Sequence, residues 1–419
     1  MLYIYDIVVR VIYFFFLLAS VFNKKARKWI LGRKDFFKKN YNLLKLSNKR
    51  VWFHVASLGE FEQAKPLIEA FKNCFNYSVI ITFFSPSGYE HSQNYPYADL
   101  ILYLPLDTKK NAKKFISFFK PNIAIFVKYD LWFNYIYCLK KSNIPVFLIS
   151  ATFRKNQIYF KWYGGFFKEI LKKLDFIYVQ NEQSKELLKS KGINNVKVSG
   201  DTRIDRVLIV ANTQFSDAII EKFINNRFCV ICGSVWLKDI KIFKDEIIKT
   251  INECCWIIVP HDVSQKNVHK IINKLSVKCI KYTDLINYKG IISDNIENAV
   301  LIVNIIGILN KIYKYADIVY IGGGFNKGIH NILEPAVYGK PVIFGKKNYK
   351  FVEAAELKSL NAGFEVKNKN DFYLIFNKLF KNKTLLNKAG NAAYNFIINN
   401  KGASDFLINE FKNYLIKID

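Results

Sequence analysis

Acidic residues are scarce in this chain: 34 Asp and Glu stand against 63 Lys and Arg, which leaves a formal net charge of +29 over 419 residues. Such an excess predicts an anionic partner, for which nucleic acid, acidic lipid and phosphorylated substrates all qualify. The alternative is compositional drift, because the sequence is crowded with Lys, Asn, Ile, Phe and Tyr and has a single Met. The uneven placement of the basic residues along the chain favours a partner.

Cysteines are few and irregularly placed, which argues against a disulfide framework. There are seven, and their spacing does not repeat, as is typical of proteins from a reducing compartment. Cys229 and Cys232 have the spacing of half a zinc site, but they lie in an apolar run without a second pair or a His nearby. We expect buried structural thiols there. We also expect no cofactor and no metal, since no Asp-x-Asp motif follows a strand next to the glycines at 322–324.

Internal repeats, low-complexity tracts and long Gly/Ser linkers are also absent from the sequence. Apolar residues make up 51% of the chain and aromatic residues 16%, which is ample material for a packed core. A chain of 419 residues exceeds the usual size of a single core. The sequence therefore predicts two domains, closely coupled around a cleft.

The first 22 residues are nearly all apolar, interrupted by Asp6, Arg10 and Ser20, and the segment 23–39 then carries eight basic residues against one acid. Basic charge beside an apolar helix favours the cytoplasmic, anionic leaflet of a membrane. We expect residues 1–22 to form a membrane anchor, as a single span or as an interfacial helix, with the rest of the chain in the cytoplasm. A buried core helix is the alternative. No basic region precedes the apolar run, which argues against a cleaved signal peptide.

Beyond residue 50, short apolar runs alternate with amphipathic helical stretches, the pattern of a doubly wound parallel sheet. Predicted strands of the first half cover 51–56, 78–83, 100–104, 123–127, 146–150, 176–180 and 196–199, and those of the second half cover 228–232, 256–259, 277–280, 300–303, 318–321 and 341–344. The fold class is therefore α/β with two Rossmann-like domains. We assign 23–205 to the first domain, 206–223 to a linker without strand signal, 224–400 to the second domain and 401–419 to a C-terminal helix, with the option that it packs back on the first domain.

Polar residues follow the first predicted strand of the first domain. Ser57 and Gly59 precede Glu60, which stands at a helix start on the carboxyl edge of the sheet, where open α/β sheets bind ligands. A carboxylate there could take a proton from a substrate hydroxyl, and Gly59 would permit the tight turn. The alternative role of Glu60 is to complement the helix dipole.

Two further polar turns follow later strands of this domain. Ser85 and Gly88 lie in a hydroxyl-rich turn suited to anion contact through backbone N–H groups, and the segment Lys128-Tyr129-Asp130 follows the fourth strand. Because these turns lie at the same edge of the sheet, they indicate an acceptor pocket. The plainer alternative is that every α/β protein has polar loops there.

The second domain carries a compound motif after its predicted strand 318–321. Gly322, Gly323 and Gly324 follow that strand, and the segment 328–336 opens the next helix with Glu334 one turn inside it. Adjacent glycines let backbone approach a phosphate, and a helix start supplies N–H donors. Glu334 can accept both hydroxyls of a ribose. The combination predicts a nucleotide site.

Taken together, these motifs resemble those of the 3-deoxy-D-manno-octulosonic acid (Kdo) transferases of lipopolysaccharide synthesis, which move Kdo from CMP-Kdo to a lipid A precursor. The resemblance is collinear over most of the chain. It rests on the apolar N terminus and on Ser57-Leu58-Gly59-Glu60, Leu131-Trp132 with Asn134, Gln180-Asn181-Glu182, Gly200-Asp201-Thr202-Arg203, and Gly322-Gly323 through His330-Asn331-Ile332-Leu333-Glu334. It implies two Rossmann-like domains of the GT-B type, attachment to the inner membrane and inverting transfer.

The resemblance also implies roles for individual residues. Glu60 matches the general base that deprotonates the acceptor hydroxyl, and Arg203 matches a basic position that stabilises the departing phosphate. Positions that hold CMP are matched by Pro260, His261, Ile306, Gly307, Ile308, Asn331, Ile332, Leu333 and Glu334. Candidate phosphate or acceptor contacts are Ser57, Gly59, Ser85, Gly88, Ser234, Gly322 and Gly323.

Three positions depart from the family pattern. Lys128 stands where many members carry a stabilising Glu before Leu-Trp, so we assign it to the catalytic group with a differently charged role. Ile308 follows Gly307 where an acid is frequent, which leaves only backbone contacts there. Val235 replaces a Thr after Ser234 and removes one hydroxyl.

The expected partners are therefore CMP-Kdo as donor, a lipid A precursor as acceptor and anionic lipids of the inner membrane at its cytoplasmic face, with no nucleic acid. All of them suit a basic protein. Two alternatives stay open. One is another GT-B transferase or a nucleotide-sugar epimerase, although an epimerase should be soluble. The other is a membrane-tethered polyanion-binding protein, which would leave Glu60 and Glu334 without a role.

Overall fold

The computed structural model describes residues 2–38, 46–128, 130–286, 296 and 298–417. Tyr129 of the predicted polar turn and Lys39 of the basic segment lie outside these residues. The chain divides into two compact units, the first formed by Met1–Arg206 and Lys401–Asp419 and the second by Val207–Asn400. Each unit is described by itself.

The first unit is built on a seven-stranded parallel sheet in the order β3-β2-β1-β4-β5-β6-β7. Its strands are β1 (Arg50–Val55), β2 (Ser78–Phe83), β3 (Leu100–Tyr103), β4 (Ile123–Val127), β5 (Val146–Ala151), β6 (Phe176–Val179) and β7 (Val196–Val198). The strand order reverses between β1 and β4. The loops after these two strands therefore diverge to opposite faces, which is where sheets of this kind form a binding crevice.

Helices cover both faces of this sheet. They are α1 (Leu2–Phe22), α2 (Lys24–Arg33), α3 (Leu58–Asn73), α4 (Pro86–Ser92), α5 (Lys109–Phe119), α6 (Phe133–Lys141), α7 (Gly165–Lys172), α8 (Glu182–Lys189) and α9 (Thr202–Ala211), which continues into the second unit. Successive side chains of a strand point to opposite faces. Accordingly, Phe53 joins the core under α3, while Trp52 packs 4.8 Å from the ring of Phe115 on α5.

The second unit holds another seven-stranded parallel sheet, in the order β10-β11-β9-β8-β12-β13-β14. Its strands are β8 (Phe228–Val235), β9 (Cys254–Pro260), β10 (Cys279–Lys281), β11 (Val300–Ile302), β12 (Ile318–Ile321), β13 (Val342–Gly345) and β14 (Gly363–Val366). Its helices are α10 (Ala218–Ile224), α11 (Leu237–Thr250), α12 (Gln265–Leu275), α13 (Tyr282–Ile286), α14 (Leu309–Ile312), α15 (Leu333–Ala336), α16 (Val352–Ser359), α17 (Lys369–Lys381) and α18 (Lys383–Asn399). The order reverses between β8 and β12.

The C-terminal helix α19 (Ala403–Ile416) belongs to the first unit. The ring of its Phe411 lies 5.4 Å from that of Phe71 on α3 and 4.9 Å from that of Phe147 on β5. These contacts place α19 on the core that α3 also covers.

All thirteen predicted strands are present, with shifts of a few residues at their ends. Strand β14 was not predicted. It lies at the edge of the sheet and its two middle residues are partly exposed, so its Gly-Phe-Glu-Val sequence is not a continuous apolar run. The predicted linker 206–223 is largely helical, since α9 ends at Ala211 and α10 begins at Ala218. Cys229 and Cys232 are fully buried in β8 and, like the other cysteines, form no disulfide.

Helix α1 docks on the first unit along one stripe and exposes the rest of its apolar surface. The hydroxyl of Tyr5 donates to Oδ2 of Asp107 at 2.6 Å, and Nδ2 of Asn134 donates to Oδ1 of Asp6 at 2.8 Å. Among the described residues, α1 is the helix long and apolar enough to cross a membrane, but only 6% of its apolar window is buried in the protein. That exposure excludes the alternative of a buried core helix.

Candidate functional site

Glu60 lies in the first turn of α3, directly after β1, and is only 9% exposed. Ser57 caps the helix by accepting the N–H of Glu60, and Oε2 of Glu60 accepts the backbone N–H of Ala56 at 2.6 Å. Burial raises the pKa of the Glu60 carboxyl, and Asp130 raises it further, whereas Lys128 is the strongest of the groups that lower it. General-base catalysis is most efficient when the pKa of the base lies near the working pH, so a raised carboxyl pKa favours this role.

A buried chain of hydrogen bonds, which sequence reasoning missed, runs from β1 to the turn after β4. Thr82 Oγ1 accepts the indole N–H of Trp52 at 2.8 Å and lies 2.8 Å from Nδ1 of His54. Nε2 of His54 lies 2.8 Å from Oδ2 of Asp130, which also accepts the indole N–H of Trp132 at 3.2 Å. The indole N–H of Trp132 also donates to Nε2 of His54 at 2.9 Å, so His54, Asp130 and Trp132 form one hydrogen-bonded cluster.

Basic side chains accompany this cluster. Lys128, which follows β4 with a left-handed backbone (φ 65°), lowers the pKa of both Glu60 and Asp201. Burial by itself would raise the pKa of Asp201, but the Arg203 guanidinium holds it below its usual value through Nε at 2.9 Å and Nη2 at 2.6 Å. The structure thus brings Lys128 close to Glu60 and Asp201, and Asp201 fixes Arg203 at the start of α9.

The remaining predicted contacts of the first unit serve the helix starts. Gly59 is the second residue of α3 and has no left-handed backbone, so this turn does not require glycine; a Cβ there would meet only Ser57 Oγ, at 4.0 Å. Ser85 caps α4 by accepting the N–H of Gly88 at 3.2 Å. Gly88 is required for packing, because a Cβ would lie 2.7 Å from the ring of Phe83. Its N–H serves the cap and is not left for an anion.

In the second unit the glycine-rich turn is tightly packed. The N–H of Gly322 donates to the Gly233 carbonyl at 2.9 Å, and the N–H of Gly323 donates to Oδ2 of Asp239 at 3.0 Å. A Cβ at Gly322 would lie 2.3 Å from the carbonyl oxygen of Ser234, and Gly323 has φ of 91°. Both N–H groups are therefore used inside the fold, in contrast to the predicted contact with a phosphate. Buried Asp239, which the sequence did not indicate, positions this turn.

Three rings meet where β8, β9 and β12 end, and these strands are neighbours in the sheet. The ring of His261 stacks on Trp236 at 4.5 Å and on His330 at 4.4 Å, and the indole N–H of Trp236 donates to Nε2 of His330 at 3.2 Å. Burial, with a contribution from His261, lowers the pKa of His330 to about 4. The unit therefore presents a neutral stack of flat rings at the carboxyl edge of its sheet. Trp236 and His330 were not among the predicted contacts.

The segment 331–334 offers fewer groups than predicted. Ile332 and Leu333 are fully buried, so their side chains pack in the core. Asn331 is held by two bonds: its Nδ2 donates to Oε1 of Glu334 at 3.1 Å, and its Oδ1 accepts the N–H of Leu333 at 3.1 Å. The helix that follows, α15, has only four residues, so the expected helix start is a single turn. The polar groups available to a ligand here are Asn331 and Glu334.

The other predicted nucleotide contacts lie in two places. Pro260 ends β9 and is buried, and it leads into the exposed His261. Ile306, Gly307 and Ile308 form a loop between β11 and α14, in which Ile306 is 74% exposed and Gly307 has φ of 98°. Across the described part of the chain, no group of three or more His, Cys, Asp or Glu side chains is placed to hold a metal ion.

Sequence comparisons match this chain to one family. Residues 31–206 match the family model described as 3-deoxy-D-manno-octulosonic-acid transferase (Kdo transferase). The 3-deoxy-D-manno-octulosonic acid transferase of Aquifex aeolicus is 30% identical over 346 residues, which cover 81% of this chain and 87% of that protein. The protein of the same name from Haemophilus influenzae is 26% identical over 393 residues, 87% of each chain. A bifunctional glycosyltransferase/methyltransferase of Fusobacterium nucleatum is 28% identical over 342 residues, 77% of this chain but only 51% of that protein.

Solved structures with the same fold include nucleotide-sugar enzymes. The UDP-GlcNAc 2-epimerase from Neisseria meningitidis bound to UDP-GlcNAc has a TM-score of 0.63 at 17% identity, over 87% of this chain and 100% of that one. The putative UDP-N-acetylglucosamine 2-epimerase from Listeria monocytogenes has a TM-score of 0.62 at 16% identity, over 89% and 98%. At such identities the likeness shows the fold alone, two Rossmann-like units of the GT-B type.

Proposed function

Because this chain belongs to the 3-deoxy-D-manno-octulosonic acid transferase family, we propose that it transfers Kdo from CMP-Kdo to a hydroxyl of a lipid A precursor, with inversion at the anomeric carbon. The reaction takes place at the cytoplasmic face of the inner membrane. The observation that carries this proposal is Glu60, a buried carboxyl with a raised pKa at the point where the strand order of its sheet reverses.

In this mechanism Glu60 acts as the general base. The Ala56 N–H holds Oε2, which leaves Oε1 to receive the proton of the acceptor hydroxyl. As that proton leaves, the hydroxyl oxygen forms the new bond to the anomeric carbon, and the bond to the CMP phosphate breaks with its electron pair on the phosphate. Burial supports this role because it raises the pKa of the carboxyl and so makes it a stronger base.

The basic side chains of the first unit complete the proposal for the reacting centre. Kdo brings a carboxylate and CMP a phosphate, so cations favour both the bound donor and the departing nucleotide. Arg203 is oriented by its two contacts with Asp201, and Lys128 supplies a second positive charge near Glu60. At the position where other family members carry a Glu, the positive charge of Lys128 then stabilises the bound donor and the departing nucleotide.

For the nucleotide we assign the second unit. Glu334, braced by Asn331 at 3.1 Å, accepts the ribose hydroxyls, and the exposed loop around Gly307 contacts the base through its backbone. The neutral rings of His261 and His330 add a flat surface at the same edge of the sheet. A neutral imidazole can donate one hydrogen bond and accept another, and it has no net charge to attract or repel a phosphate strongly.

Helix α1 is proposed as the membrane-binding element. Its outward side chains, such as Phe14 and Phe22, are 56% and 94% exposed, and α2 follows with the exposed Lys24 and Lys25. Since Tyr5 fixes one side of α1 to the first unit, the helix fits an interfacial position better than a free-standing span. Anionic lipids then contact the basic residues of α2.

The test is incubation of the purified protein in detergent with CMP-Kdo and a lipid A precursor, followed by mass analysis of the lipid. We expect masses with added Kdo from the wild-type protein and none from Glu60→Gln. A parallel incubation with UDP-GlcNAc checks for epimerisation. Conversion of UDP-GlcNAc without any Kdo transfer would replace the proposal by the epimerase alternative.

A further inference from the structure

A cavity of about 570 Å³ lies within the first unit between α1, α2 and the turn that precedes α4. Its walls are apolar, with Phe15, Phe16 and Ala19 from α1, Ala26 and Trp29 from α2, and Phe84 from the turn. The volume falls in the range of about 300–1,000 Å³ that small-molecule sites occupy. Walls of this kind desolvate a sugar or a nucleotide without compensation, so the fitting ligand is apolar.

The ring of Trp29 forms part of the wall of this cavity. Trp29 is 3% exposed, and its Nε1 is buried away from the cavity without a hydrogen-bond partner in the described chain, so the carbon atoms of the ring face a ligand. The ring is fixed in place, because Phe16 stacks on it at 4.4 Å and the Arg33 guanidinium lies 3.9 Å from its centroid. The fixed ring therefore offers a rigid apolar surface to a ligand in the cavity.

The surroundings of the cavity indicate where the polar end of that ligand lies. Lys25 and Ser85 are at its edge, and the N–H of Ser85 donates to the Ala56 carbonyl at 2.9 Å. The N–H of the same Ala56 donates to Oε2 of Glu60. A single residue, Ala56, thus links the cavity wall to the proposed base. On its other side the cavity is bounded by α1, whose outward face is exposed and apolar.

We propose that this cavity binds one fatty acyl chain of the lipid-linked acceptor, which packs against the fixed ring of Trp29. The identity of the acceptor rests on the proposed function. An amphiphile anchored in this way has its chain beside the membrane-facing helix and its head group on the side of Glu60, while Lys25 favours an anionic head group. A phospholipid would supply the same acyl chains but not the acceptor hydroxyl that Glu60 is proposed to deprotonate.

The kinetic test fills the cavity from an exposed position. Ala19→Trp places a ring in it, and Leu18→Trp is the matched control, since Leu18 is 51% exposed and does not line the cavity. We expect Ala19→Trp to raise KM for the acylated acceptor about tenfold and to leave kcat/KM for the same acceptor without acyl chains within twofold of wild type. Leu18→Trp should match the wild type with both acceptors. Equal effects of Ala19→Trp on both acceptors, or none, would overturn the proposal.

A second measurement needs no turnover and no donor. An acceptor with brominated acyl chains quenches the fluorescence of tryptophans that it touches, so its binding should reduce the fluorescence of the wild-type protein. Trp29→Phe should fold as well as wild type, and the same acceptor should quench its fluorescence less. A quenched fraction that is the same in Trp29→Phe would sink the proposal. Quenching of equal strength by phosphatidylglycerol with the same chains would show a general lipid site instead. Absence of Kdo transfer by the wild type would refute the proposed function but not this site.

Discussion

Nε2 of His54 lies 2.8 Å from Oδ2 of Asp130, so a side chain of β1 is bonded to the turn after β4. These are the two strands between which the order of the sheet reverses. Both groups act on the neighbouring Glu60, Asp130 by raising its pKa and His54 by lowering it. Burial is the largest cause of the raised pKa of Glu60, and the pair adjusts that pKa without being the proposed base.

Substitution Asp130→Asn should move the pH dependence of transfer. Removing a negative charge near Glu60 lowers the pKa of its carboxyl, so the acid limb of kcat/KM against pH should shift to lower pH. The full pH–rate profile of both proteins measures the shift. Asp245→Asn, at a surface position of the second unit, is the control and should leave the profile unchanged. An unmoved acid limb in Asp130→Asn would contradict the assignment of Glu60 as the titrating base.

Replacement of Glu60 by Gln should abolish transfer and stabilise the fold. Loss of a general base costs about 10²–10⁴-fold in rate. Because the folded pKa of Glu60 is raised by burial, its contribution to stability is present at low pH and is lost as pH rises through the folded value. Glu60→Gln should therefore unfold at a higher temperature than wild type at pH 8, with a smaller gain at pH 4.

The matched control for that experiment is Glu62→Gln, two residues further along α3. Glu62 forms surface ion pairs with Lys65 and Arg206, which are worth about 0–1 kcal/mol. Transfer should persist in this variant, and its melting temperature should stay close to that of wild type. Full activity of Glu60→Gln alongside it would remove the basis of the proposed mechanism.

The His330 imidazole should make the second unit sensitive to acid. Its folded pKa is lowered to about 4 from 6.5, so stability is present above pH 6.5 and is lost as pH falls toward 4. The loss can reach about 1.4 kcal/mol for each pH unit in that window. His330→Gln keeps an acceptor for Trp236 without titrating, and urea unfolding at pH 7 and pH 5 should show a smaller difference than in wild type. His269→Gln, on the exposed surface of α12, should keep the wild-type difference.

Substitution of Glu334 should weaken nucleotide binding in a graded way. Glu334→Ala removes charged hydrogen bonds to the proposed ribose and should cost about 1.5–3 kcal/mol of CMP affinity. Glu334→Gln keeps an acceptor oxygen and should lose less. Calorimetric titration with CMP measures both variants. Equal affinities of the Ala variant and the wild type would show that the ribose binds elsewhere.

The two faces of α1 should separate membrane binding from stability. Ile7, Val11 and Phe14 are 60%, 47% and 56% exposed, so changing all three to Ser should reduce sedimentation with anionic vesicles while leaving the melting temperature near that of wild type. Tyr5→Phe should lower the melting temperature and leave sedimentation with vesicles unchanged. It removes a hydrogen bond to fully buried Asp107, which costs about 1–3 kcal/mol of stability. Unchanged sedimentation of the triple variant would exclude α1 as the membrane-binding element.

Most of the fold was predictable because parallel strands buried on both faces are continuous apolar runs, and thirteen such runs stand out in the sequence. The exceptions have local causes. Edge strand β14 contains Gly363 and Glu365 and is half exposed, so it carries no apolar signal. His54 was overlooked because it sits inside an apolar run, where a single histidine has no visible partner.

The sequence by itself determined the alternation of strands and helices, the position of Glu60 at the end of a strand and the resemblance to one transferase family. These properties depend on neighbours along the chain. Only the tertiary structure decided which distant groups meet: His54 with Asp130, 76 residues away, and Tyr5 with Asp107, 102 residues away. It also showed that the N–H groups of Gly322 and Gly323 are occupied. Hydrogen bonds and burial join residues through space, and strand order, which sets those distances, is not encoded in any local pattern.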